Sequence, residues 1–64
     1  MPNANDLPDY SIINAFDLTQ NVWIKLVKDL GWWNAIGEEY GYKLDEFDYY
    51  IREDWKLIST PVGY

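Results

Sequence analysis

Residues 19–30 read TQNVWIKLVKDL, and the fold turns on the period assigned to them. Val22, Trp23, Leu26, Val27 and Leu30 fall on one broad face at helical spacing, while Asn21, Lys25, Lys28 and Asp29 lie away from it. That spacing predicts a helix over residues 19–30. Its start is marked twice. Asp17 followed by Gln20 fits a capping box, and Thr19 as cap would set Leu18 and Trp23 as a hydrophobic staple. Gly31 supplies a left-handed stop.

Downstream, residues 32–40 read as a shorter helix with Trp33, Ile36 and Tyr40 inside, weakened at Gly37 and closed by Gly41. Asp45 can cap a third helix whose apolar face is Phe47, Tyr50, Ile51 and Trp55 and whose outer side is Glu46, Tyr49, Arg52 and Glu53. Upstream, residues 10–16, YSIINAF, have enough apolar surface to join the core; their pattern fits a helix or a strand, and helix or irregular structure is preferred. Residues 1–8, rich in Pro and Asn, read as a flexible lead-in. The tail from Leu57 can extend the third helix briefly before Pro61, or form a strand through LIST.

The resulting fold expectation is mostly α: one small bundle of two or three helices over residues 9–64, packed around Trp23, Leu26, Leu30, Trp33, Ile36, Phe47, Ile51 and Trp55. The alternative is α+β, with YSIINAF and the C-terminal tail forming a short terminal hairpin against a helix, because two strands alone are not stable. A chain of 64 residues has core enough for one domain. Four Trp, six Tyr and two Phe offset the small size. Of these, Trp23, Trp33, Phe47 and Trp55 read as core, whereas Trp32, Tyr42 and Tyr49 are candidates for exposure and for anchoring an interface.

The chain has no Cys and no His, which removes disulfides, thiolate metal sites and imidazole chemistry. Ser11, Ser59, Thr19 and Thr60 have no histidine to activate them. Gly31, Gly37, Gly41 and Gly63 do not have phosphate-binding spacing. No catalytic residue, metal ligand or cofactor is therefore expected, and the chain reads as a non-enzyme. No apolar run approaches the ~20 residues that span a bilayer, and no basic segment precedes a hydrophobic one, so the expected setting is cytoplasmic.

Acid is concentrated. Residues 38–54 hold seven carboxylates, Glu38, Glu39, Asp45, Glu46, Asp48, Glu53 and Asp54, against Lys43 and Arg52, a net of −5 in a chain of net −6. On helices such residues would form a line of negative charge. That line, with Tyr49, predicts a surface that binds and blocks a basic site on another protein, such as a DNA-binding or restriction enzyme, while direct nucleic-acid or membrane binding is disfavoured by charge. The alternative is a protein–protein interaction module or small structural subunit that uses exposed aromatics.

Phe47, Asp48 and Tyr49, followed by Tyr50, Arg52 and Asp54, give the stretch FDYYIRED, which resembles the aromatic-Asp-aromatic then Arg-Asp signature near the end of antirestriction proteins of the ArdA type. IGEEYG, ending at Gly41, resembles the acidic helix end before that signature, and LISTPVGY resembles the closing strand. The similarity spans at most about 30 residues of this chain. Members of that family, from phages and mobile elements, are elongated acidic DNA mimics that occupy the DNA groove of type I restriction enzymes. The resemblance implies an inhibitor of that kind, with Asp48, Glu53 and Asp54 on its phosphate-mimicking surface. Here Arg52 is followed by Glu53 rather than Asp, and the chain is much shorter than a complete member.

Overall fold

The computed structural model describes residues 3–61. Residues 62–64 of the tail and residues 1 and 2 of the lead-in lie outside it. The architecture is a five-stranded antiparallel sheet with one short helix, which overturns the expected helical bundle. The strands are β1 (Ile12–Asp17), β2 (Val22–Asp29), β3 (Trp32–Ala35), β4 (Gly41–Lys43) and β5 (Lys56–Ser59), in spatial order β4-β3-β2-β1-β5. The helix α1 spans only Phe47–Tyr50. Two 3₁₀ turns, Ala4–Asp6 and Leu44–Glu46, complete the regular structure.

The segment read as the first helix is mostly strand β2. Its neighbours explain why. Ile13 stands opposite Leu26 and Ala15 opposite Ile24, so period-two alternation along β2 buries Leu26 and half-buries Ile24 beside β1. Val22, Ile24 and Val27 are β-branched and pack well on a pleated surface. The two signals taken as helix ends are hairpin turns. Asp17 accepts hydrogen bonds from the Thr19 and Gln20 backbone N–H groups, both at 2.8 Å, in the turn between β1 and β2. Leu30 and Gly31 have φ of 47° and 86°, both positive as a type I′ turn requires, and they join β2 to β3 with Asp29 opposite Trp32.

The expected second helix is β3, a turn and β4. Gly41 is required there: a Cβ would stand 2.8 Å from the Trp33 carbonyl oxygen and 2.7 Å from Asn34 Oδ1. The third helix shrinks to one turn, after which Ile51 bridges to Asp17 and β5 pairs with β1. The tail thus pairs with YSIINAF as one edge of a continuous sheet rather than as a separate terminal hairpin.

One face of the sheet is covered. Ile13, Ala15, Leu26, Trp33 and Ala35 point to it and are buried with Ala4, Phe47 and Ile51. The Trp33 ring lies 5.6 Å from that of Phe47, and its Nε1 donates to Asn5 Oδ1 at 2.9 Å, while Asn5 Nδ2 donates to the Leu44 carbonyl at 2.9 Å. Asn5 therefore ties the first 3₁₀ turn to the core tryptophan and to the layer before α1. Of the expected core, Leu26, Trp33, Phe47 and Ile51 are buried and Trp55 packs against them; Trp23, Leu30 and Ile36 are exposed.

Candidate functional site: the open face of the sheet

The strand register that fills the core sends the intervening residues to the opposite face. Phe16 stands opposite Trp23, Ile12 opposite Val27, Val27 opposite Asn34, and Trp32 opposite Lys43. Trp23 is 44% exposed and Trp32 40%. Ile36, whose N–H donates to the Lys25 carbonyl at 2.9 Å, continues the same face beyond β3. Phe16 and Trp23 meet edge to face at 5.6 Å, and the Arg52 guanidinium lies 4.2 Å from the Phe16 ring centre and 5.5 Å from that of Trp23. Lys43 Nζ lies 5.7 Å from the Trp32 ring.

The basic residues gather on the open face. Lys25 and Lys56 both stand opposite Asn14, and Lys43 stands opposite Trp32, so with Arg52 four of the five basic residues belong to the open face. The fifth, Lys28, is on the covered side, where it donates to the Leu7 carbonyl at 2.7 Å and approaches Asp9 at 3.7 Å. Arg52 is held by a two-pronged pairing with Asp54 at 2.8 and 2.9 Å. That pairing lowers the Asp54 pKa and raises that of Arg52.

The residues singled out by sequence do not form one line. Glu38 and Glu39 lie in the turn between β3 and β4; Asp45 and Glu46 are in the second 3₁₀ turn; Asp48 and Tyr49 are in α1; Glu53 and Asp54 follow in the loop to β5. Glu46 Oε1 accepts from the Lys43 N–H at 3.0 Å and so works locally as a turn cap. Helical spacing of these carboxylates is absent, and with it the DNA-mimic and antirestriction reading that a helical acidic surface was to provide. Tyr49 is 80% exposed on α1, the helix whose Phe47 packs on the covered face.

Among the described residues Asp17 is the one acidic residue buried as a whole, and it lies elsewhere. Asp17 accepts from the Tyr42 hydroxyl, from Gln20 Nε2 at 3.3 Å and from the two turn N–H groups. Burial alone would raise its pKa, but these donors outweigh burial and hold it below the usual carboxylate range. Burial and the Asp17 carboxylate push the Tyr42 phenol well above its ordinary value. The two groups move away from neutrality in opposite directions, which suits a fixed structural contact rather than a proton relay working near pH 7. Tyr50 stacks on Tyr42 at 5.0 Å and Tyr40 meets it edge on at 5.9 Å, closing this end of the core.

Among the described residues no group of His, Cys, Asp and Glu could hold a metal ion, and no helix is long and apolar enough to cross a membrane. Comparisons with protein-family models, curated proteins and solved structures give no match. The short resemblance of FDYYIRED to the ArdA-type proteins therefore stands on its own residues. Sequence reasoning missed the open face because it assigned Trp23 and Ile36 to a helical core; of the candidates for exposure, Trp32 and Tyr49 are exposed and Tyr42 is half-buried.

Proposed function

We propose that the chain is a protein–protein interaction module, without catalytic function, that docks a partner on the open face of its sheet. The observation behind this reading is that the sheet is covered on one side only, while its other side presents Phe16, Trp23, Val27, Trp32 and Ile36. Apolar groups at a surface are ordinary when scattered; grouped on one flat face they cost solubility and are explained by a partner. Trp is the residue most often found as an energetic anchor of interfaces, and cations laid on Phe16, Trp23 and Trp32 give such a face a polar frame.

The test is a pair of variants. Trp23→Thr combined with Trp32→Thr keeps β-forming side chains at both positions and should leave the strand circular dichroism and cooperative melting in place while abolishing partner capture. Glu39→Gln combined with Asp48→Asn should leave capture intact. Retained capture by the first pair and loss by the second would reverse the assignment of the binding surface.

A further inference from the structure

Strand β2 is longer than the strand it pairs with. Its partner β3 ends at Ala35, opposite Leu26, and the chain turns away through Gly37, where φ is 83°. Residues 22–24 therefore run on past the end of β3, and Lys25 meets only Ile36, which donates to its carbonyl. Beside this overhang is a groove of about 480 Å³ whose lining includes Val22, Trp23, Ile24, Lys25, Ile36, Glu38 and Tyr40.

The hydrogen-bond parity of β2 shows what its backbone offers to that groove. Lys28 donates to the Ser11 carbonyl and accepts from the Tyr10 N–H, so even-numbered residues of β2 turn their peptide groups toward β1. Ile36 donates to the Lys25 carbonyl, so odd-numbered residues turn theirs toward β3. The N–H and C=O of Trp23 point the same way and meet no strand, because β3 has already ended. The outer edges of the sheet are guarded differently. β4 is three residues long, and β5 carries a register shift opposite Ile12 and Ile13, a lysine at its start and Pro61 beyond its end.

We infer that this groove receives an extended, acidic segment of a partner protein, which adds to β2 as a short strand alongside residues 22–25. The inference rests on the interaction-module reading and specifies its mode. The Trp23 N–H and C=O and the Lys25 N–H, which meet no strand, select a polypeptide backbone, and alternate side chains of the added strand supply specificity. One set of those side chains faces Val22, Ile24 and Tyr40 and is aliphatic. The other set lies on the open face, beside Lys25 and next to Trp23, whose ring carries Arg52, and is acidic by charge complementarity. Glu38 in the lining disfavours a long acidic run, so the match is an alternating segment of which about three to four residues pair with the overhang.

The probe is the blocked peptide Ac-Glu-Val-Glu-Val-Glu-Val-NH2, titrated into the wild-type chain and followed by amide hydrogen exchange and chemical shift. Exchange at the Trp23 and Lys25 N–H groups should slow by at least about tenfold at saturation, and affinity should fall by a similar factor between low and high salt. Ac-Lys-Val-Lys-Val-Lys-Val-NH2 should bind at least about tenfold more weakly than the glutamate peptide. The inference is overturned if the glutamate peptide fails to bind at millimolar concentration, if the lysine peptide binds equally well, or if binding leaves both amides unprotected. Oligothymidylate perturbing Trp23 and Trp32 more tightly than the peptide at equal salt would also overturn it, in favour of a stacking platform for single strands. Loss of partner capture in the Trp23 and Trp32 double variant, with Trp23 and Lys25 amides still unprotected in the wild-type complex, would sink strand addition while leaving the interaction-module reading in place.

Discussion

The two faces of the sheet hold the same kinds of side chain in opposite surroundings. Leu26 and Trp33, neighbours on the covered face, have no exposed surface, whereas Trp23 and Trp32 on the open face keep about two-fifths of theirs. Stability accounts for the first pair. It does not account for the second, since β-forming polar residues at those positions would satisfy the same pleat. The difference teaches that apolar character along a strand has two separable causes, core filling and presentation, and that register alone decides which residue serves which.

The comparison is broken most severely at Trp33. Trp33→Ala would remove the largest fully buried side chain and should cost about 3–5 kcal/mol, enough to unfold much of a domain whose total stability is of order 3–10 kcal/mol; urea titration measures it. Asp17→Ala comes next at about 2–3 kcal/mol, because it leaves the Tyr42 hydroxyl and two turn N–H groups without their acceptor. The same cluster sets a pH dependence. Asp17 is depressed in the folded chain, so its contribution is present above the unfolded value near 3.9 and is lost as pH falls through the folded one; Tyr42 is raised, so its contribution is present below about pH 10 and is lost as pH rises beyond it. Melting temperature against pH should therefore fall at both extremes, and Asp17→Asn should flatten the acid limb relative to wild type.

On the open face the expected effects on folding are smaller. Trp23→Thr should cost about 1 kcal/mol, from the lost contacts with Phe16 and Arg52, and leave a cooperative melt. At the hairpin tip the sign reverses. Leu30 is 79% exposed and holds a left-handed φ that its side chain disfavours, so Leu30→Asn, which creates the Asn-Gly pair of a type I′ turn, should raise stability by roughly 0.5–1 kcal/mol in thermal unfolding. A loss on that substitution would mean that Leu30 packs against something the isolated chain does not contain.

Local chemistry was legible in the sequence and the period was not. The capping oxygen of Asp17 and the left-handed Gly31 are both present, but a carboxylate that takes the N–H groups two and three residues on serves a hairpin turn as well as a helix start. Likewise a positive φ ends a helix or turns a hairpin. The deciding residue was Ile24. It has no place on the helical face traced by Val22, Trp23, Leu26 and Val27, but alternation puts it beside Leu26 toward the core. With apolar residues at 22, 23, 24, 26 and 27, both periods fit, and only pairing with residues 12–17 and 32–35 selects the strand. Buried Leu26, Trp33, Phe47 and Ile51 were readable because each is apolar under either period. The open face was not, because it follows from the register and from where β3 stops.

The most direct test places a photo-crosslinking side chain at Val27, on the open face, and in a second protein at Tyr49, on α1, with each exposed to lysate of the source cells. The account predicts one discrete adduct from Val27 that is suppressed when Trp23 is also changed to Thr, and no adduct from Tyr49. An adduct from Tyr49 alone would contradict it and move the binding surface to α1.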